Sequence, residues 1–169
     1  MRDNSESSFV VLGLGSNIGD SQNIILDAVK ALHDILTELH CASFYETEPL
    51  YITDQNKFIN TAVSGNFSGS PRELLLKINS IESNFGRDRT KEQRWGERTL
   101  DIDILLFGDI VLNEPELEIP HPRLKERRFA LEPLLELLPE ALEPRTGLSY
   151  SAVCLSLPDQ GCKKLLYNV

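Results

Sequence analysis

The chain has 169 residues, 41% of them hydrophobic and 25% charged, with 26 acidic against 17 basic side chains and a formal net charge of -9. That length fits one domain, long enough to bury roughly two thirds of the surface that the unfolded chain would expose. The acidic excess argues against a general nucleic-acid binder, and no apolar run approaches the ~20 residues that span a bilayer, so the sequence reads as a soluble, cytoplasmic protein with no nucleic-acid or membrane partner.

In chain order, residues 1–8 are polar, lack the apolar core of a secretory signal and read as a disordered tail before a single domain over 9–169. Phe9 to Leu14 predicts a buried strand, ended by a tight turn at Gly15-Ser16-Asn17. From Ser21 to Leu39, Ile25, Ala28, Leu32, Ile35, Leu36 and Leu39 recur at three and four, with Asp20 or Ser21 as N-cap, which predicts an amphipathic helix. Cys41–Glu46 and Phe58–Phe67 predict strands, with a polar loop over Thr47–Lys57. Ser70-Pro71-Arg72-Glu73 is a capping-box pattern, and Leu74, Leu75, Ile78, Ile81 and Phe85 supply the apolar stripe of a second helix.

Leu100–Phe107 predicts another strand, and six prolines between Pro115 and Pro144 break the following chain into short pieces. Small helices are predicted at Ala130–Leu138 and Tyr150–Ser156, with an edge strand over Lys163–Tyr167. The order strand, helix, strand, strand, helix, strand predicts an α+β, ferredoxin-like βαββαβ core: an antiparallel sheet with helices on one face and long active-site loops. Cys41, Cys154 and Cys162 are odd in number and show no CxxC spacing, so they read as packing residues in a reducing compartment.

The chemistry concentrates around one strand. In Leu100-Asp101-Ile102-Asp103-Ile104 the side chains alternate, so both carboxylates share a face, with Cα atoms ~6.6 Å apart at a rise of ~3.3 Å per residue. Two acids side by side in an apolar strand need neutralisation. Magnesium, as a pair of ions held by hard oxygen ligands, supplies it; alternatively one aspartate pairs with an arginine and the other faces water. Just upstream, Arg87, Arg89, Arg94 and Arg98 surround Trp95, between Gly86 and Gly96. Guanidinium forks suit phosphate oxygens and the indole suits a planar ring, so the run reads as a phosphate-gripping lid; a solvated charged loop is the plainer alternative. Pro120-His121-Pro122 fixes an imidazole, with Arg127 downstream, while His33 and His40 read as structural or surface residues. Asn79 and Glu82 share a polar face of the second helix. Gly13-Leu14-Gly15-Ser16-Asn17 lacks both the Walker lysine and the dinucleotide spacing and is read as a tight turn after a strand.

Six segments, LGLGSNIGD from Leu12, FYETEP from Phe44, FINTAV from Phe58, IESNFGRDR from Ile81, RWGERTLDIDILLF from Arg94 and IPHPRLKERRFALEPL from Ile119, together resemble the hydroxymethyl-dihydropterin pyrophosphokinases. The resemblance implies transfer of pyrophosphate from ATP to 6-hydroxymethyl-7,8-dihydropterin with release of AMP, in folate biosynthesis. It implies two Mg2+ ions on Asp101 and Asp103, with Arg87 and Arg98 joining them in catalysis. It places Thr47, Pro49, Leu50, Phe58, Asn60, Trp95 and Phe129 around the pterin, and Asn79, Glu82, Arg89, Arg94, Trp95, Arg98, Ile104, His121 and Arg127 around ATP. A functional link to dihydropteroate synthase or dihydroneopterin aldolase follows from the same resemblance. Departures are Tyr51, Glu97 and Asn79, where relatives often carry glycine, proline and glutamine, and Glu116 and Glu118, where some carry arginine and threonine. Two rival classes remain: a noncatalytic nucleotide- or RNA-binding module, which the acidic net charge and the strand aspartates fit badly, and an ATP hydrolase or γ-phosphoryl kinase with another acceptor.

Overall fold

The computed structural model describes residues 7–49, 54–86 and 99–166. Its elements are β1 (Ser7–Ser16), α1 (Ser21–Leu32), β2 (Thr37–Cys41), β3 (Tyr45–Thr47), β4 (Phe58–Ser68), α2 (Pro71–Asn84), β5 (Asp101–Phe107), β6 (Leu112–Glu114), β7 (Leu117–Ile119), α3 (Arg128–Leu137), α4 (Tyr150–Ser156) and β8 (Lys163–Lys164). The main sheet runs β5-β1-β4-β3-β8, with β2 also on β4 and every pair antiparallel, while β6 and β7 form a separate hairpin. The ferredoxin-like core is therefore present.

Alternation along β1 splits the interior in two. Val10, Leu12 and Leu14 join Val63, Ile102 and Ile104 under α1 and α2, whereas Val11, Ala62 and Leu105 join Leu124, Leu131, Leu134 and Tyr150 under α3 and α4. The two core helices share one face as predicted, and the two later helices cover part of the other. Helix α2 starts as its sequence prescribes: Ser70 accepts from the Glu73 N–H, and Glu73 accepts from the Ser70 N–H at 2.7 Å. Such a cap contributes about 1 kcal/mol.

Several boundaries move. The predicted first helix ends at Leu32 rather than Leu39, because Ile35 and Leu36 reach the core from a turn and the chain then re-enters the sheet as β2. Helical spacing and a core-facing turn place the same residues inside, so periodicity alone does not separate them. The strand predicted over Cys41–Glu46 is broken at Ala42–Phe44, where the Thr61 hydroxyl lies 3.0 Å from the carbonyl oxygens of both Ala42 and Ser43. Strand β1 runs from Ser7 to Ser16, so Ser7 and Ser8 already pair with Ser68 and Phe67, and Gly13 and Gly15 sit within the strand rather than in a turn. The proline-rich stretch contains the β6–β7 hairpin, which the sequence pattern did not announce.

One irregularity positions the site. The pairing of β1 with β5 skips Leu105, since Val11 opposes Leu106 and Leu12 opposes Ile104. At such a bulge a backbone group leaves the ladder. The Leu105 carbonyl accepts instead from the His121 N–H at 3.1 Å, which brings the segment after β7 against the middle of β5.

Candidate active site

Asp101 stands opposite Gly15 and Asp103 opposite Gly13 across the β1–β5 ladder, so both carboxylates emerge on the α3 face while Ile102 and Ile104 enter the core. The Asp103 side chain is 37% exposed, enough for a ligand to reach it. Its Oδ2 lies 3.7 Å from His121 Nε2 and 3.9 Å from Arg127 Nη1. His121 Nδ1 accepts from the Arg123 N–H at 3.2 Å, so the neutral ring carries its proton on Nε2, directed at Asp103. Burial, followed by the Arg127 charge, pushes the His121 pKa down to about 4. At neutral pH this imidazole is an uncharged donor, and its proximity to Asp103 is not an ion pair.

On the other side of β5, Glu82 of α2 is 1% exposed, and its Oε1 accepts from the Ile102 N–H at 2.7 Å. That N–H points away from β1 at the sheet edge, so the bond fixes a buried carboxylate between the two aspartate positions. Asn79, one turn earlier, is half-buried on the same side of α2.

A second cluster lies two strands away on the α3 face. Thr47 opposes Phe58 and Tyr45 opposes Asn60. Asn60 and Thr47 are both buried, and Asn60 Nδ2 donates to Thr47 Oγ1 at 2.9 Å. Phe129, half-buried in the first turn of α3, has the Arg127 guanidinium 5.6 Å from its ring centre. Beneath, Glu136 of α3 takes hydrogen bonds from the Tyr45 hydroxyl, from the Ser43 N–H at 2.9 Å and from Lys164 at 2.6 Å. Burial alone would raise this carboxyl, but those donors hold its pKa at about 2. Burial, and then the same bond, push the Tyr45 phenol up. This knot ties β3 to α3 and β8, and with it Thr47.

The structure thus gathers Asp101, Asp103, His121 and Arg127 at one end of a surface on the α3 face, with Phe129 beside Arg127, and Thr47, Phe58 and Asn60 at the other. Glu82 and Asn79 lie around the β5 edge. Pro49 is buried just after β3. Ile104 is a core residue on the opposite face, 5% exposed, beside α2 rather than the carboxylates. Leu50, Arg87, Arg89, Arg94, Trp95 and Arg98 lie outside the described residues. Three positioning groups had no assignment from sequence. Glu136 carries no local signal, because its partners are remote in the chain. Tyr45 was visible only as part of a strand. Asn17, read as a turn residue, is 1% exposed and donates through Nδ2 to Gln55 Oε1 at 3.2 Å, anchoring the segment before β4.

Asp101 and Asp103 fit magnesium. Among the described residues no three His, Cys, Asp or Glu side chains form a closed cage. Magnesium does not require one, since it is commonly held by one or two carboxylates together with substrate phosphates and water. Asp103, with 37% of its side chain exposed, leaves room for those partners.

The ferredoxin-like sheet thus bears paired aspartates on β5 and a buried polar pair, Asn60 and Thr47, farther along the same face. Residues 11–139 match the profile of the 7,8-dihydro-6-hydroxymethylpterin-pyrophosphokinase (HPPK) family, and the chain belongs to that family. It is 41% identical over 136 residues to the 2-amino-4-hydroxy-6-hydroxymethyldihydropteridine pyrophosphokinase of Aquifex aeolicus (strain VF5), covering 80% of this chain and 83% of that protein. It is also 41% identical over 143 residues to the enzyme of the same name from Bacillus subtilis (strain 168), covering 83% and 84%. The mitochondrial folate synthesis bifunctional protein of Pisum sativum is 39% identical over 144 residues, 83% of this chain but 27% of that protein. In fold, the chain is similar to the wild-type HPPK-DHPS of Plasmodium falciparum crystallised with SDX-DHP, at a TM-score of 0.69 and 16% identity, covering 90% of this chain. The present chain spans 45% of that solved chain. Among the described residues no helix is long and apolar enough to cross a membrane.

Proposed function

We propose that the surface between Asn60 and Asp103 is where this chain performs its family's reaction, with the acceptor on β4 and the ATP phosphates on β5. The chain transfers a pyrophosphoryl group from ATP to 6-hydroxymethyl-7,8-dihydropterin, releasing AMP, in folate biosynthesis. The observation that carries the placement is the shared face: Asn60 and Asp101 oppose the same residue of the intervening strand, Gly15. Strands ~4.8 Å apart put the two positions about 10 Å from each other, a separation that a flat bicycle with one hydroxymethyl arm bridges.

Asn60, with one N–H on Thr47, offers a second N–H and an oxygen to the pterin edge, and Phe58 and Phe129 offer faces to its ring. Asp101 and Asp103 would hold magnesium, which when bound supplies positive charge against the phosphate oxygens. Arg127 adds a fixed positive charge at the same end, and neutral His121 offers its Nε2 proton to a phosphate or ribose oxygen. Asn79 and Glu82 place polar groups around the β5 edge for the nucleoside. Arg87, Arg89, Arg94, Trp95 and Arg98 belong, in this proposal, to a cover that closes over the phosphates and excludes water, which would otherwise hydrolyse ATP. The acceptor hydroxyl attacks the β-phosphorus as the bond to the α-phosphate oxygen breaks, so AMP leaves and the hydroxyl proton passes to solvent or a phosphate oxygen. A cytoplasmic setting accords with three free cysteines, whose thiols burial raises away from reactivity. Because relatives such as the Pisum sativum protein are bifunctional, a functional link to dihydropteroate synthase is part of the proposal, and one to dihydroneopterin aldolase rests on the resemblance alone.

Chromatography of the nucleotide products tests the assignment. AMP formed in equal amounts with pyrophosphorylated pterin, and only when pterin is present, is the expected result. ADP would mark a γ-phosphoryl kinase, and pterin-independent AMP a hydrolase.

A further inference from the structure

Glycine in the middle of a strand weakens it, since it has the most backbone freedom to lose and no side chain to pack. Gly15 nevertheless occupies such a place, inside β1 between two partner strands. Its backbone does not explain it: its φ lies outside the positive range that favours glycine, and an extended strand accepts any residue. Its surroundings do. A Cβ at Gly15 would lie 2.9 Å from Asn60 Oδ1, closer than real Cβ contacts come. The same atom at Gly13, on the same face, would meet only the branched end of Leu105 at 3.3 Å. The Asn60 carboxamide lies across β1 because nothing projects from position 15, and its Nδ2 then reaches Thr47 Oγ1 at 2.9 Å.

We propose that Gly15 is a positioning residue for the pterin: the missing side chain sets the direction of the Asn60 carboxamide and keeps the floor between Asn60 and Asp101 open. This rests on the assignment of Asn60 to the pterin made above. Any side chain at position 15 turns the carboxamide off Thr47 and lifts the flat ring from the sheet. ATP, held from β5 and α2, is unaffected. Gly15 therefore acts on the acceptor side through another residue, and its signature is a split between the two substrates.

The test compares Gly15→Ala, Gly13→Ala, Asn60→Ala and the double variant Gly15→Ala with Asn60→Ala. Pterin affinity is read by fluorescence titration with magnesium and a non-hydrolysable ATP analogue present, and analogue affinity is read by calorimetry. Gly15→Ala is expected to weaken pterin binding about tenfold or more and to raise the pterin KM in parallel, leaving analogue affinity and saturated kcat within about threefold. Gly13→Ala should stay within about threefold throughout, and in the Asn60→Ala background the Gly15 substitution should change pterin binding by less than about threefold. Wild-type pterin affinity in Gly15→Ala overturns the proposal, and so does an equal loss with and without Asn60. Asn60→Ala binding pterin like the wild type instead overturns the underlying assignment, and the Gly15 proposal with it. Thermal melting covers the case in which Gly15→Ala folds poorly. Since the crowding is against Asn60, the double variant should then recover the melting temperature of Asn60→Ala, and failure to recover overturns the proposal.

Discussion

Protonating His121 in the ligand-free protein should require acidity near pH 4, against an ordinary imidazole pKa of 6.5. Burial is the main cause, since 18% of the side chain is exposed, and the Arg127 charge adds to it while Asp101 opposes. With the folded pKa below the unfolded one, the unfolded chain binds more protons between those two values, so stability rises with pH across that window. The contribution is whole above pH 6.5 and fades as pH falls toward 4. At 1.36 kcal/mol per pH unit the gap corresponds to at most about 3 kcal/mol. Following the imidazole carbon and proton resonances by NMR gives the midpoint directly, and urea unfolding at several pH values gives the linked stability. Arg127→Met removes the second cause and should raise the midpoint; Asp101→Asn removes the opposing charge and should lower it. A midpoint at 6.5 or above in the ligand-free wild type would refute the assignment of a neutral donor beside Asp103, as would indifference to Arg127.

Glu136→Ala strands the Tyr45 hydroxyl, the Ser43 N–H and Lys164. It should cost about 2 kcal/mol in urea unfolding, with a raised pterin KM, because Thr47 loses its support. The Glu136 carboxyl is held down at about 2, so its share of stability is present above the ordinary 4.5 and is lost as pH falls through 2. An acid limb of the stability curve unchanged by Glu136→Gln would contradict this. Ser70→Ala removes half of the capping box and should lower stability by about 1 kcal/mol with kinetics unchanged, since α2 is shortened at the end remote from Glu82.

Much of this architecture was legible in the residues, for identifiable reasons. Helix α2 has a complete capping box and an apolar stripe, so local chemistry and tertiary packing agree on it. The Asp101–Asp103 pair was legible because a period of two assigns faces without knowledge of the partners. Helix α1 was overextended where turn residues continue the apolar spacing. Glu136 could not be found, since what holds its pKa down comes from Ser43, Tyr45 and Lys164, brought together only by the fold. Gly15 was misassigned for a related reason: a glycine beside Ser16-Asn17 reads as a turn until the cross-strand position of Asn60 is known. Arg87, Arg89, Arg94, Trp95 and Arg98, read as a lid from their guanidinium and indole chemistry, and Leu50, taken from the resemblance, lie outside the described residues.

The claim on which the rest depends is that Asp101 and Asp103 jointly hold the ions that grip the triphosphate. Manganese, as a paramagnetic substitute for magnesium, can be titrated by electron paramagnetic resonance into wild type and Asp103→Asn, each saturated with a non-hydrolysable ATP analogue. Two ions should bind the wild type, and the variant should lose one of them or weaken it about tenfold or more while remaining folded. Equal stoichiometry and affinity in the two proteins would contradict the account.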